Sequence, residues 1–174
     1  GVQTCALPIC LISFDPNVRL PLWETPEACR EAILEFLPFA NIVKISDEEL
    51  EFITGIADET EALNFLLQGD VEVIIYTKGT NGAEFITKER KVFSPSFKVE
   101  AQDTTGAGDS FIGSFLYQVA EGDNTLESLV NLPEEKVKEI LTFSNATAAL
   151  TVCKRGAIGA LPTKEEVLTL AQGR

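Results

Sequence analysis

The sequence has no histidine and no methionine among its 174 residues. Without histidine, Ser-His-Asp and Cys-His catalysis are excluded, as is any His-ligated metal site. Cysteine is scarce: Cys5, Cys10, Cys29 and Cys153 contain no C-x-x-C pair, do not suggest a disulfide framework, and read as reduced thiols. Basic residues are outnumbered, 14 Lys plus Arg against 27 Asp plus Glu, for a net charge of −13. Such a chain repels a phosphate backbone, so nucleic acid is not an expected partner. A nucleotide remains within reach, because backbone amides, one or two basic side chains and a metal ion can hold its phosphates locally. No apolar run approaches the ~18 residues that span a bilayer, and the start lacks the charged-then-apolar pattern of a signal peptide. No membrane partner is expected, and a cytoplasmic location is.

What is present is ordinary for a globular chain: 45% hydrophobic and 24% charged residues, in a length that suits one domain. The opening run GVQTCALPI resembles a translated sequencing-library adapter. Residues 1–9 therefore read as a non-native leader, with a true N-terminal arm as the alternative, and residues 10–174 as the domain proper.

Strand and helix signals alternate from Leu11 onward. Leu11–Phe14 reads as a buried strand ending in the turn Asp15-Pro16-Asn17. Thr25-Pro26-Glu27 supplies a cap, a first-turn proline and an acid for a helix to about Leu37. Ile42–Ile45 is a second strand. Ser46-x-x-Glu49 fits a capping box for a helix ending near Gly55, and Glu59–Leu67 is a further helix. Val71–Thr77 is a β-branched strand. Ala83–Thr87 and Lys91–Phe93 read as a hairpin, and Phe97–Ala101 as another strand. Helices follow over Asp109–Ala120 and Glu134–Cys153, and Thr163-x-x-Glu166 opens a last one. The pattern implies an α/β fold with a mainly parallel sheet.

The stretch DTTGAGDS, Asp103–Ser110, sits between a strand candidate and an amphipathic helix. Gly106, Ala107 and Gly108 let a ligand approach the backbone, and their amides point forward at a helix N-terminus, a ready anion site. Asp109 places a carboxylate at its edge. For phosphoryl transfer to a hydroxyl, such amides stabilise developing charge by a factor of ~10²–10³ per donor. A carboxylate taking the hydroxyl proton contributes roughly 10²–10⁴. The plain alternative is a tight strand-to-helix link, with Asp109 a first-turn acid. Other motifs fail here: G-x-G-x-x-G needs glycine where Phe111 stands, G-x-S-x-G needs it where Ile112 stands, and the Walker A pattern is absent.

DTTGAGDSFIGSFL resembles the C-terminal signature of the ribokinase (PfkB) family of sugar kinases, and the resemblance extends over nearly everything after Leu11. It implies a ribokinase-like three-layer α/β sandwich, of which this chain is the C-terminal portion. It also implies Asp109 as catalytic base, Gly106–Asp109 as anion hole, and Asp103, Thr105 and Gly156 around a monovalent cation, usually K⁺. Asp15-Pro16-Asn17-Val18-Arg19 with Leu22-Trp23 resembles the D-P-N-x-R…L-W stretch of fructokinases. That puts Asn17 and Arg19 toward phosphate and acceptor sugar, where the alternative is an Asx turn with Arg19 solvated.

Lys44–Glu49 resembles the family's N-x-x-E element, with Ser46 where many members have asparagine. It places Lys44 at the nucleotide and Glu49 near Mg²⁺ through water, against a purely capping Glu49. Thr77, Gly79 and Gly82 match T-x-G-x-x-G, which lines the ATP site, against a plain strand-end turn. Asn145 matches a position near the adenine, against a polar residue on a long helix, and Gly156 doubles as a helix stop. Gly156–Thr163 again resembles fructokinases, which more often have proline at position 159.

The resemblance implies ATP, Mg²⁺ and K⁺ as cofactors and a sugar as substrate, with D-fructose to fructose 6-phosphate as first choice. 2-Keto-3-deoxygluconate, another acceptor, or an inactive scaffold or regulator are the alternatives. The family's N-terminal part carries most sugar contacts and a lid that commonly forms a homodimer interface. This chain alone is therefore expected to be inactive and to leave sheet surface uncovered.

Overall fold

The computed structural model describes residues 11–122 and 125–173. The leader assigned to residues 1–9, and with it Cys5 and Cys10, lies outside the described residues.

The first strand, β1 (Ser13–Phe14), leads through a loop to α1 (Pro26–Phe36). The Thr25 side chain accepts the Ala28 N–H at 3.1 Å, and Pro26 stands where no intrahelical N–H is needed. Then come β2 (Ile42–Ser46), α2 (Asp47–Thr54) and α3 (Glu59–Leu66). Gly55 ends α2 in the left-handed conformation, φ 72°. Arg30 of α1 donates from Nε to Ile53 O (2.8 Å) and from Nη2 to Thr54 O (3.0 Å), placing a cation on the negative end of α2. The chain continues through β3 (Val73–Thr77) and the hairpin β4 (Ala83–Ile86) and β5 (Lys91–Ser94). It ends with α4 (Ala107–Ala120), α5 (Leu126–Val130), α6 (Glu134–Val152) and α7 (Lys164–Gln172).

The sheet order is β1-β2-β3-β4-β5. β1, β2 and β3 pair in parallel, while β4 runs antiparallel between β3 and β5, so four of the five strands share one direction. Alternation along the strands sorts the core onto two faces. Val43, Ile45, Ile74, Tyr76 and Ile86 pack with α1, α2 and α3. Ile42, Val73, Ile75, Phe85 and Val92 pack with α4, α5 and α6. This is the expected three-layer α/β sandwich. Among the described residues no helix is long and apolar enough to cross a membrane.

Two local expectations are corrected. Phe97–Ala101 is not a strand: β5 stops at Ser94, and the following segment crosses the sheet end toward α6. Asn145 on α6 holds it, donating from Nδ2 to Ser94 O (3.0 Å) and Pro95 O (3.3 Å). Pro95 also has no N–H to continue a ladder. The fourth helix begins at Ala107 rather than Asp109, because Gly106 can adopt φ 83° and turn the chain into the helix two residues sooner.

Candidate active site

The C-terminal ends of β1, β2 and β3 converge with the start of α4, as ligand-binding ends do in open α/β sheets. At α4, Ala107 N–H is taken by Thr104 O at 3.2 Å, and Ser110 N–H by Gly106 O at 2.8 Å. That leaves the Gly108 and Asp109 N–H groups, which in a first turn have no carbonyl one turn back. No side chain caps this end. A side chain at Gly106 is disfavoured twice over: its φ is 83°, and a Cβ there would stand 3.0 Å from Ala157 Cβ.

A Cβ on Gly108 would stand 3.2 Å from Lys44 Nζ. Lys44 reaches this point from the middle of β2. Its side chain is 6% exposed, and its partner is Asp15 at the end of β1, 3.3 Å away. Burial pushes the Asp15 carboxyl above its ordinary value, and Lys44 opposes that shift. A buried ammonium therefore sits against the open helix end, its charge balanced by one carboxylate. Asp15 Oδ1 also accepts the Asn17 N–H at 3.2 Å, closing an Asx turn in which Asn17 takes φ 45°. Asn17 and Arg19 are both exposed on this loop, and Arg19 Nη1 donates to Val18 O at 2.9 Å.

Glu49 is engaged on both oxygens. Oε1 accepts the Val18 N–H (2.7 Å), and Oε2 accepts the Ser46 N–H (3.0 Å) and hydroxyl (2.9 Å). It ties α2 to the β1 loop as well as closing the capping box.

Asp103 joins the loop before α4 to the loop after α6. Oδ1 accepts the Thr105 N–H (3.0 Å) and Oδ2 the Gly156 N–H (3.2 Å). Hydrogen bonds from Thr105 and then from Gly156 hold this carboxyl below its ordinary value. Asp103, Thr105 and Gly156 are thus brought together.

Two clefts open on either side of the α4 start. The larger, about 610 Å³, is lined by Lys44, Thr77, Gly79, Gly82 and Asn145, with Ala107 and Gly108 at its wall. Phe97, Val99, Ala148 and Val152 give it an apolar end. Five of the six residues expected at a nucleotide meet here; Glu49 does not line this cleft, although Ser46, Asp47 and Glu48 of the same turn do. Gly82 belongs where it is for a steric reason: φ is 115°, and a Cβ would fall 2.2 Å from Ser94 O. The smaller cleft, about 340 Å³, is lined by Gly106, Asp109, Ser110, Ala157 and Ile158. Asp109 is exposed there. Among the described residues no three acidic or cysteine side chains converge as a ready metal site.

Residue order assigned no functional role to Asp15, Lys78, Glu59 or Glu84. Lys78 Nζ lies 3.0 Å from Glu84 Oε1 and 3.2 Å from Glu59 Oε1. The available signal was a charge at alternating strand positions, Lys78 after Tyr76 and Glu84 on β4.

The profile of the pfkB family of carbohydrate kinases matches residues 4–164. Fructokinase-2 of Zea mays is 46% identical over 155 residues, 88% of this chain and 44% of that protein. Probable fructokinase-2 of Arabidopsis thaliana is 44% identical over 162 residues, 91% of this chain and 47% of its own length. The fructokinase of Xylella fastidiosa with bound ATP superposes with a TM-score of 0.86 at 32% identity, over 94% of this chain and 52% of that one. The fructokinase of Vibrio cholerae O395 in its fructose, ADP and calcium ion bound form gives 0.79 at 28%, over 91% and 50%. The chain spans about half the length of the relatives it matches.

Proposed function

The chain belongs to the pfkB family of carbohydrate kinases, and from that premise we propose that the whole protein transfers the γ-phosphoryl group of ATP to a sugar hydroxyl. The acceptor we propose is D-fructose, giving fructose 6-phosphate, on the strength of the fructokinase relatives and the Asp15–Arg19 stretch. The observation that carries the reading is the uncapped start of α4, with Asp109 beside it and a cleft of about 610 Å³ against it.

The large cleft suits a nucleotide. Its apolar end, between Phe97 and Val152, accepts a planar base, and its other end exposes Thr77, Gly79 and Gly82 to a sugar-phosphate chain. The γ-phosphoryl would meet the Gly108 and Asp109 amides and the Lys44 ammonium together. These donors are fixed before substrate arrives, so charge developing on the transferring group needs no reorganisation to be met. Asp109 takes the acceptor proton as oxygen attacks. Asn17 and Arg19 stand on the exposed loop facing the same end of the sheet, a position that suits contact with phosphate or sugar.

The residues present fit Mg²⁺ as an ion that keeps most of its water: Asp47 and Glu48 of the acidic first turn of α2 border the cleft, and Glu49 is bonded to Ser46, which lines it. When bound, Mg²⁺ would neutralise phosphate charge. Asp103, Thr105 and Gly156 would hold a monovalent cation next to the α4 loop.

The test is ADP release by the whole protein with fructose, ribose, 2-keto-3-deoxygluconate and adenosine, run beside Asp109→Asn. Turnover with fructose that collapses in the variant supports acceptor and base. Turnover with a different acceptor keeps the mechanism and changes the substrate. No turnover with ATP still bound would favour a scaffold or regulator.

A further inference from the structure

The loop between β3 and β4 lines the proposed ATP cleft through Thr77, Gly79, Thr80 and Gly82, with Gly82 close against the Ser94 and Pro95 backbone and the Thr77 hydroxyl donating to Ile45 O at 3.4 Å. Gly79 and Gly82 both take positive φ, 51° and 115°. The turn itself is closed by Lys78 N–H to Gly82 O (2.8 Å), Asn81 N–H to Lys78 O (2.9 Å) and Gly82 N–H to Gly79 O (3.3 Å). Thr80 and Asn81 are exposed.

Lys78 is the long side chain that leaves this loop, and it leaves on the face away from the cleft. Strand alternation puts Thr77 toward the cleft and Tyr76 and Lys78 toward α3. The Lys78 ammonium bridges Glu59 at the start of α3 (3.2 Å) and Glu84 on β4 (3.0 Å), and lies 4.8 Å from the centre of the Tyr76 ring. Tyr76 in turn donates its hydroxyl to Glu59 Oε2 at 3.2 Å. Glu84 Oε2 is buried with no hydrogen-bond partner among the described residues. A carboxylate so placed depends on one cation to offset its loss of water. An isolated surface pair would add little, but this ammonium is shared by two acids and one aromatic face, with the Lys78 and Glu84 side chains only 21% and 17% exposed.

We propose that Lys78 is a positioning residue of the nucleotide site, stapling the loop 77–82 to α3 and β4 so that Gly79 and Gly82 keep their distance from ATP. The inference rests on the reading of that cleft as the ATP site. Lys78 touches no substrate; it acts through the loop.

The test uses the whole protein and follows the steady-state constants for ATP and for fructose, with the Kd for ATP measured by calorimetry. Lys78→Ala is expected to raise the ATP KM and Kd roughly tenfold, about 1.4 kcal/mol, and to leave the fructose KM and the kcat at saturating ATP within about twofold. Lys78→Arg, which keeps the charge and both acceptors, restores ATP affinity. If Lys78→Ala does not fold, Glu59→Gln removes one of the two partners and shifts the ATP constants the same way by a smaller factor. Unchanged ATP affinity in these variants, or equal changes in the ATP and fructose constants, overturns the inference alone. A wild type that binds ATP but phosphorylates no sugar sinks the kinase reading while the Kd still tests the staple. A wild type that binds no ATP sinks both.

Discussion

Two helix N-termini border the same cleft, and they are built in opposite ways. At α2, Ser46 and Glu49 satisfy each other, and Asp47, Glu48 and Glu49 fill the first turn with negative charge. At α4, the residue before the helix, Gly106, is a left-handed glycine, no side chain caps, and the Lys44 ammonium from another element stands against Gly108. The helix dipole is the same at both ends. What differs is whether the chain has already spent it internally. The first end is closed to an anion and needs a cation between itself and any phosphate; the second is open to one. Being a helix start is not what makes a site. Leaving the end uncapped, with a counter-charge from another element against it, is.

The contrast can be broken most severely at Asp109. Asp109→Asn keeps shape and helix but removes the proposed base, and kcat is expected to fall by roughly 10²–10⁴, with ATP affinity nearly unchanged; a variant as fast as the parent would end the assignment. Next in size is Gly106→Ala, which forces an L side chain to φ 83° against Ala157. The strain costs about 1–3 kcal/mol, read as a lower midpoint in urea, and the loss of activity should exceed the loss of folded protein. Ser46→Ala, at the closed end, should cost about 0.5–2 kcal/mol of stability and leave kcat within about twofold, since that end meets no phosphate directly. A large loss of kcat in this variant would mean the two ends are not so different.

The smallest effect concerns the loop that feeds the open end. Asp103 has its folded pKa depressed, so the stability it contributes is present above its ordinary value of 3.8 and is lost as pH falls through the folded value. Asp103→Asn should therefore be less stable than wild type near neutrality, and the two should converge in acid unfolding below that range. Parallel unfolding curves at all pH values would show that the Thr105 and Gly156 contacts do not hold this loop.

Much of this was readable from residue order. Caps and stops are local, so Thr25-Pro26, Ser46-x-x-Glu49, Gly55 and Thr163-x-x-Glu166 announced their helices, and the structure has them there. β-Branched strands were visible for the same reason. Phe97–Ala101 misled because its alternation is that of a segment half-covered by α6 and α7, not of a paired strand. The short helix α5 was missed because its five residues carry too little periodicity to stand out.

The sequence by itself determined the family, the two-faced sheet and the identity of the open helix start, because each is written in contiguous residues whose conformational preferences act within a few positions. Only the tertiary structure decided that Lys44, 64 places before Gly108 in the sequence, stands against it, that Asp15 is its counter-ion, that Asp103 reaches Gly156, and that Lys78 leans away from the cleft it serves. Charges carry no local signature of their partners. Which carboxylate meets which ammonium is fixed when strands from distant parts of the chain align in one sheet and burial removes the water that would otherwise have answered them.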